Sequence, residues 1–310
     1  MPGIDLNNFC VSYKKNFIFT DIDLDGAMSC LLFHWITGKQ IPYISTRTVD
    51  FRKTFANWLK NNKLSSFDNI YILDLDISGD CLELVDRPNI VIIDHHTSHE
   101  RNKHKYKHAK TFIKADTSCA KTIYKLLHTK SKTELTDEHK KLVLLVDDYD
   151  SYELKLPQSQ ELNLLFWNYQ GNKAAKFIEE FNPGFHGFTS DQKNIIQFYK
   201  NKIENTLSTL EVFEAIVPMG GSSQKVVSTF AETCINEVAD HIIKKYKADI
   251  GLVINQNSSK VSFRKDKSRC SIDLSVIANT IADGGGHEYS AGGMLCDKFA
   301  TFSKLFKPIK

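Results

Sequence analysis

This sequence predicts an α/β fold: a mostly parallel sheet with helices on both faces, followed by a smaller C-terminal α/β domain. Three observations carry that expectation. Short, wholly apolar runs alternate with segments of helical spacing through the first half of the chain, the pattern of strand–helix units. The runs are apolar at every position, as strands buried on both faces must be. Several of them end abruptly in acids, and an open parallel sheet gathers its ligand groups beyond the carboxyl ends of its strands.

The elements follow in order. Phe17-Ile18-Phe19 reads as a short buried strand running into TDIDLDG, and Ala27 to Ile36 as an apolar helix. Ile41 to Thr46 predicts a strand, and Arg52 to Asn61 a helix with Phe55, Trp58 and Leu59 on one side. Ile70 to Leu73 is a strand ending in DLDIS, and Ile90 to Ile93 a strand ending in DHH. Asp116, Thr117 or Ser118 caps a helix over Cys119 to Leu127; the first amides of that helix could instead receive a phosphate, although a plain cap is the ordinary outcome. Leu142 to Val146 is the apolar part of another helix, which delivers Asp147, Asp148 and Asp150. Asn182-Pro183-Gly184 breaks the chain, and a long polar helix is expected from Asp191 to about Glu214 as a connector. Beyond it, strands are expected at Lys225 to Phe230, Ile250 to Ile254 and Val261 to Arg264, then a helix at Ser275 to Ala282. The expected division is a domain over 1–190, a connector over 191–214 and a second domain over 215–310, with no internal repeat.

Bulk properties narrow the function classes. At 310 residues there is room for a substantial core and two domains. Lys and Arg total 40 against 37 acids, a net charge of +3, which does not demand a long nucleic-acid partner and leans toward small substrates. The seven cysteines (Cys10, Cys30, Cys81, Cys119, Cys234, Cys270, Cys296) form no CxxC pair, so neither a zinc ribbon nor a disulfide framework is indicated, and reduced thiols in a cytoplasmic protein are the expectation. MPGIDLNNF has no basic segment followed by an apolar one, so no signal peptide is expected, and no apolar run approaches a bilayer-spanning length.

The chemistry sits in the acids. Asp21, Asp23 and Asp25 alternate, and in an extended segment they would point the same way. Three like charges at close range call for a cation, although acid-rich turns are common in solvated loops. The string resembles the start of a calcium loop but lacks its distal Glu. Asp74 directly follows a strand and reads as a ligand; Asp76 reads as an accessory group or cap. IVIIDHHTSH is the most specific stretch: Asp94 can fix an imidazole tautomer, His95 can ligate a metal, and His96 can donate to a substrate oxygen. In the second domain, Gly284-Gly285-Gly286-His287 would let backbone amides approach a phosphate, with His287 donating, although glycines alone also suit a tight turn. HERNKHKYKHAK, from His99 to Lys110, reads as a solvated loop, or else as a lip attracting a polyanion. Phe166, Trp167 and Tyr169 are expected in the core, with base stacking the other use of such rings.

TDIDLDGAMS, ILDLDIS, VIIDHHTSH and LLVDDYDSYELKLP resemble, in this order, the four motifs of the DHH phosphoesterase superfamily. SRCSIDLSVIANTIADGGGHEYSAGG resembles the GGGH signature of the substrate domain that often follows. The likeness runs from 17 to 293, and five motifs in order are far more specific than any one. Relatives include RecJ-type exonucleases, nanoRNases, cyclic-dinucleotide phosphodiesterases and some pyrophosphatases. The resemblance implies a cytoplasmic hydrolase with two divalent ions, manganese first and magnesium second. Asp21 and Asp23 would hold one ion and Asp25 the other, with Asp74 bridging, His95 on the second and Asp148 completing the site; Asp150 is the runner-up for that last position. Asp94 and His96 would serve catalysis, and Arg264 with Gly284, Gly285, Gly286 and His287 would bind substrate. Many members carry a histidine where this chain has Phe19, and Asp21 takes its place as in the RecJ-like branch. The expected substrate is a short oligonucleotide or dinucleotide, with no membrane partner and a homodimer allowed for. The alternatives are a RecJ-type exonuclease on longer strands and a non-catalytic nucleotide-binding module.

Overall fold

The computed structural model describes residues 15–79, 81–131 and 134–309. Cys10 and the N-terminal stretch read above for targeting signals lie outside the described residues. The chain divides into two compact units, Met1–Ile196 and Gln197–Lys310.

The first unit is built on strands β1 (Asn16–Thr20), β2 (Tyr43–Ser45), β3 (Asn69–Leu73), β4 (Ile90–Asp94) and β5 (Lys110–Ile113), in the spatial order β2-β1-β3-β4-β5. Every pair is parallel. Between and after the strands come α1 (Leu24–Thr37), α2 (Thr48–Leu59), α3 (Leu82–Val85), α4 (Thr97–Asn102), α5 (Cys119–Leu127), α6 (Asp137–Asp150), α7 (Pro157–Trp167) and α8 (Lys173–Phe181). The wholly apolar strands divide their side chains between two cores. Ile18, Tyr71, Leu73, Val91 and Ile93 pack with residues of α1 and α5 to α8. Phe19, Ile70, Ile72, Ile90 and Ile92 pack with α2 and α3. Phe19 is enclosed by Phe51, Phe55 and Trp58 at ring separations of 5.7, 5.1 and 5.4 Å, so its place in this chain is structural. Burying such a ring stabilises the fold by about 1.5–3 kcal/mol. The order reverses between β1 and β3, the point beyond whose carboxyl ends open parallel sheets place their ligands.

Helix α9 (Ser190–Ser208) carries the chain into the second unit. There β6 (Val212–Met219), β7 (Ser222–Phe230), α10 (Ile235–Tyr246), β8 (Ile250–Asn255), β9 (Lys260–Lys265), α11 (Leu274–Ala282), β10 (Gly285–His287), β11 (Ser290–Met294), α12 (Asp297–Ser303) and β12 (Lys307–Pro308) follow. They form a seven-stranded mixed sheet ordered β10-β11-β9-β8-β7-β6-β12, in which β7 and β8 pair in parallel and the other pairs are antiparallel.

Three expectations are corrected. The connector helix stops at Ser208, because Val212–Met219 is a strand that hairpins onto β7 across Gly220 and Gly221; both glycines have positive φ, as such a turn requires. The first acidic motif is not extended throughout: α1 begins at Leu24, so Asp23 and Asp25 straddle a helix start. HERNKHKYKHAK is not a plain solvated loop. It holds part of α4 and the start of β5, and His99 is fully buried. No described helix is long and apolar enough to cross a membrane.

Candidate active site

The acids that end the parallel strands meet at one place. The segment after β1 delivers Asp21, and Asp23 caps α1 by accepting from the Gly26 N–H at 2.9 Å. Gly26 has to be glycine, since a Cβ there would run into the Asp21 carbonyl oxygen. Asp25, in the first turn of α1, is buried and accepts the N–H groups of Cys119 at 2.7 Å and Ala120 at 2.9 Å. Those are the first free amides of α5, where the helix field also favours a carboxylate. The α5 N-terminus is therefore occupied by a side chain of the chain itself, and Ser118 caps it through the Lys121 N–H. The alternative of a phosphate on those amides is set aside.

Asp74 follows β3 in a left-handed backbone conformation, φ 58°, which costs a non-glycine residue about 1 kcal/mol or more. Its N–H is tethered to the Ile93 carbonyl at 3.0 Å. His95, after β4, brings Nε2 to 3.1 Å from Asp74 Oδ1, 3.3 Å from Asp150 Oδ2 and 3.9 Å from Asp25 Oδ2. The approach to Asp150 lacks hydrogen-bond geometry, and Asp150 Oδ2 and Asp74 Oδ2 are both buried without a hydrogen-bond partner. Ligand atoms of Asp74, His95 and His96 lie within 4.8 Å of one another, as do those of Asp25, His95 and Asp150.

The fourth motif is corrected here. Asp148 turns away and accepts the Lys155 N–H at 2.9 Å, the Leu156 N–H at 3.0 Å and the Ser159 hydroxyl at 2.6 Å. It ties the end of α6 to the start of α7. Asp147 accepts from the Ser118 N–H and Lys121. Asp150 is the acid of this motif that reaches His95.

Asp94, fully buried, accepts from His96 Nδ1 at 2.8 Å and His99 Nδ1 at 2.6 Å, and His99 Nε2 lies 2.7 Å from the Tyr106 hydroxyl. His99 is a partner of Asp94 that the sequence reading missed. The available signal was its place in the same DHHTSH string, in the first turn of α4. Asp76 accepts from Ser78 and Ser98.

The electrostatics follow the geometry. Burial and then Asp23 push the Asp21 carboxyl up to about 7 and that of Asp150 up to about 8. Burial drives Asp25 and Asp74 well above the usual carboxylate range, with Asp150 the next cause for Asp25 and Asp23 for Asp74. Burial and then the His96 charge hold His95 below its ordinary value, in the neutral form that a metal ligand needs. For His96, burial is outweighed by Asp94, which pushes it up to about 10. Burial of Asp94 is likewise outweighed, by His96 and then His99, and its carboxyl lies well below the usual range.

The cluster fits a divalent cation. Crowded buried carboxylates, two of them with an unsatisfied oxygen, are costly unless a positive charge compensates them. The donors are carboxylate oxygens and imidazole nitrogens, a set that suits manganese or magnesium as well as zinc or iron.

In the second unit, His287, Ser290, Arg264 and Gly251 are successive cross-strand partners over β10, β11, β9 and β8. Directly opposed residues share a face, so His287 and Arg264 occupy one row. Arg264 donates to the Phe263 carbonyl at 2.8 Å and to Asn236 Oδ1, and His287 stacks on Tyr289 with ring centres 5.9 Å apart. The glycine run has a packing reason. A Cβ on Gly284 would overlap the Gly292 carbonyl, and one on Gly286, at φ 140°, would lie 2.6 Å from the Ser290 carbonyl oxygen. Gly285 alone of the three has open space around it.

The comparisons agree with this architecture. Residues 15–146 match the model of the DHH family, N-terminal domain, and residues 224–309 that of the DHHA1 domain. The pGpG-specific phosphodiesterase PggH from Vibrio cholerae is 14% identical over 94% of this chain and 96% of its own, with a TM-score of 0.56. An exopolyphosphatase-related protein from Bacteroides fragilis is 13% identical over 94% and 91%, with a TM-score of 0.53. RecJ from Thermus thermophilus, solved in complex with Mn2+, is 14% identical with a TM-score of 0.56, and the match covers 94% of this chain but 51% of RecJ. At such identities the likeness establishes the shared fold. No curated protein matches the sequence. Two family models in succession, the parallel sheet and the acids at its carboxyl edge lead to one conclusion: this chain belongs to the DHH phosphoesterase superfamily.

Proposed function

We propose that the protein is a divalent-metal-dependent phosphodiesterase that hydrolyses short oligonucleotides or dinucleotides, with manganese as the working ion and two ions in the site. The observation that supports this most directly is the meeting of Asp25, Asp74 and Asp150 on His95, beside a His96 anchored by Asp94. Asp25, Asp74, Asp150 and His95 would hold the ions, with Asp21 and Asp23 alongside. Bound ions supply Lewis acidity and make water a competent nucleophile near neutral pH. The chain's own contribution is to hold His95 neutral, to keep Asp25 oriented on the α5 amides and to keep His96 cationic through Asp94. His96 then donates to a phosphate oxygen and offsets the charge that builds there. In the second unit, Arg264, His287 and the open backbone at Gly285 are assigned to substrate phosphate.

Similarity to PggH over nearly the full length of both chains favours small substrates. The RecJ-type reading is weaker, since this chain spans about half of RecJ. A panel assay with Mn2+ over dinucleotides, cyclic dinucleotides, adenosine bisphosphate and longer strands separates them, with fastest turnover expected on dinucleotides. His95→Ala combined with His96→Ala is expected to abolish hydrolysis; retained turnover overturns the proposal. Protein that neither binds nor responds to a divalent ion would instead be the binding module.

A further inference from the structure

A cavity of about 800 Å³ lies within the first unit and shares a wall with the acidic cluster, because Ile22, between Asp21 and Asp23, lines it. Its chemistry is unlike that of the cluster. Among its described lining residues Lys173 is the only charged one; aromatic surface comes from Trp167 and Tyr43, and polar groups from Gln40 and Ser45.

Three independent features point to a ligand. Trp167 is 42% exposed, whereas Trp35 and Trp58 are 5% and 8% exposed; a perpendicular contact with Phe166, ring centres 5.6 Å apart, holds the indole while much of its surface stays open. Ser45 Oγ is buried and has no hydrogen-bond partner, a cost that a ligand would remove. The third feature is the edge of the sheet. Among the described residues β2 pairs with β1 alone: the Ile18 N–H donates to Pro42 O at 3.0 Å, and the Thr46 N–H donates to Thr20 O at 2.8 Å. Backbone groups of successive strand residues point to opposite sides, so Tyr43 and Ser45 turn theirs to the open edge. The site thus offers a flat apolar wall, alternating donors and acceptors on one edge, and a single cation.

We propose that this cavity is a nucleobase subsite, in which a base stacks on Trp167 and is read along its edge by the Tyr43–Ser45 backbone and Ser45 Oγ. Stacking is the usual way to hold a base without a charged partner. A peptide added to β2 fits less well, since a three-residue strand gives too short a ladder. The assignment of this base to the nucleotide beside the scissile phosphate rests on the phosphodiesterase reading; the affinity for a base does not.

The test is calorimetric titration of the full chain, with chelator present so that nothing turns over, using adenosine 5′-monophosphate and ribose 5-phosphate. Wild type is expected to bind the nucleotide at least about ten-fold tighter, the scale of one base–aromatic stack. Trp167→Ala should remove that preference, Trp167→Phe should keep most of it, and Ser45→Val should weaken it, a second variant that serves where the alanine variant does not fold. Equal binding of the two ligands by wild type, or an unchanged preference in folded Trp167→Ala or Ser45→Val, overturns the proposal. Base preference without hydrolysis in Mn2+ would sink the phosphodiesterase reading alone. Hydrolysis whose KM ignores Trp167→Ala would sink the subsite alone.

Discussion

At the scale of single residues, the direction in which a carboxylate is held decides its role. Asp148 and Asp150 are two positions apart on α6, yet one is surrounded by donors from the chain and the other faces His95 with an oxygen unsatisfied. Asp148→Asn should therefore cost about 2 kcal/mol of stability, the scale of losing hydrogen bonds to a buried charge, and leave the thermal shift induced by Mn2+ intact. Asp150→Asn should do the reverse, abolishing that shift and lowering turnover by about 100-fold or more. Melting curves with and without Mn2+ check both. Asp86 allows a test by pH away from the site. Burial is the largest single influence and works against its ionisation, but the N–H groups of Ala109, His108 and Lys107 together outweigh it and lower its pKa. A depressed carboxyl stabilises the fold above its unfolded pKa and loses that contribution as pH falls through its folded one. Asp86→Asn should thus destabilise at pH 7 by about 1 kcal/mol, allowing for its solvent exposure. The gap should close in acid below the ordinary carboxylate range, as denaturant titrations at a series of pH values would show.

At the scale of elements, the glycine-rich hairpin and the acid-bearing helix start show how a local motif can serve packing and function together. Gly284 and Gly286 are demanded by close backbone approach between β10 and β11, whereas Gly285 is not. Gly286→Ala should lower the melting temperature of the second unit, since it combines a forbidden φ with a clash. Gly285→Ala should leave the melting temperature nearly unchanged and reveal its effect, if Gly285 serves the substrate, only in KM. The two variants side by side, in one thermal and one kinetic measurement, separate the roles. The DxDxDG string works similarly. A helix start between Asp23 and Asp25 uses one acid as a cap and passes the next to the α5 amides, which orients it better than an extended segment could.

For the whole molecule, the cluster of acids and histidines belongs entirely to the first unit, which has its own two cores. A fragment spanning 15–196 should fold and still respond to the ion. At 100 times its Kd a ligand adds about 2.7 kcal/mol, which for a unit of this size is about 5–10 °C. A fragment that melts without cooperativity, or one that is folded but indifferent to Mn2+ while the full chain responds, would overturn this expectation.

The sequence by itself determined the class of fold, the edge of the sheet where chemistry gathers and most of the residue types gathered there. Strand-then-acid junctions are local, and apolar runs without alternation admit few placements. What only the tertiary structure decided was which acid of Asp147, Asp148 and Asp150 turns inward, that His99 completes the hold on Asp94, that two of the three glycines answer to packing, and that an edge strand and Trp167 frame a cavity. Each of these depends on partners distant in sequence or in elements that sequence reading left unassigned: the donors at 155–159, the Asp94 carboxylate, the β11 carbonyls, the free side of β2. Spacing alone cannot supply them, because a helix end offers three directions to three acids and only the groups packed around it select one.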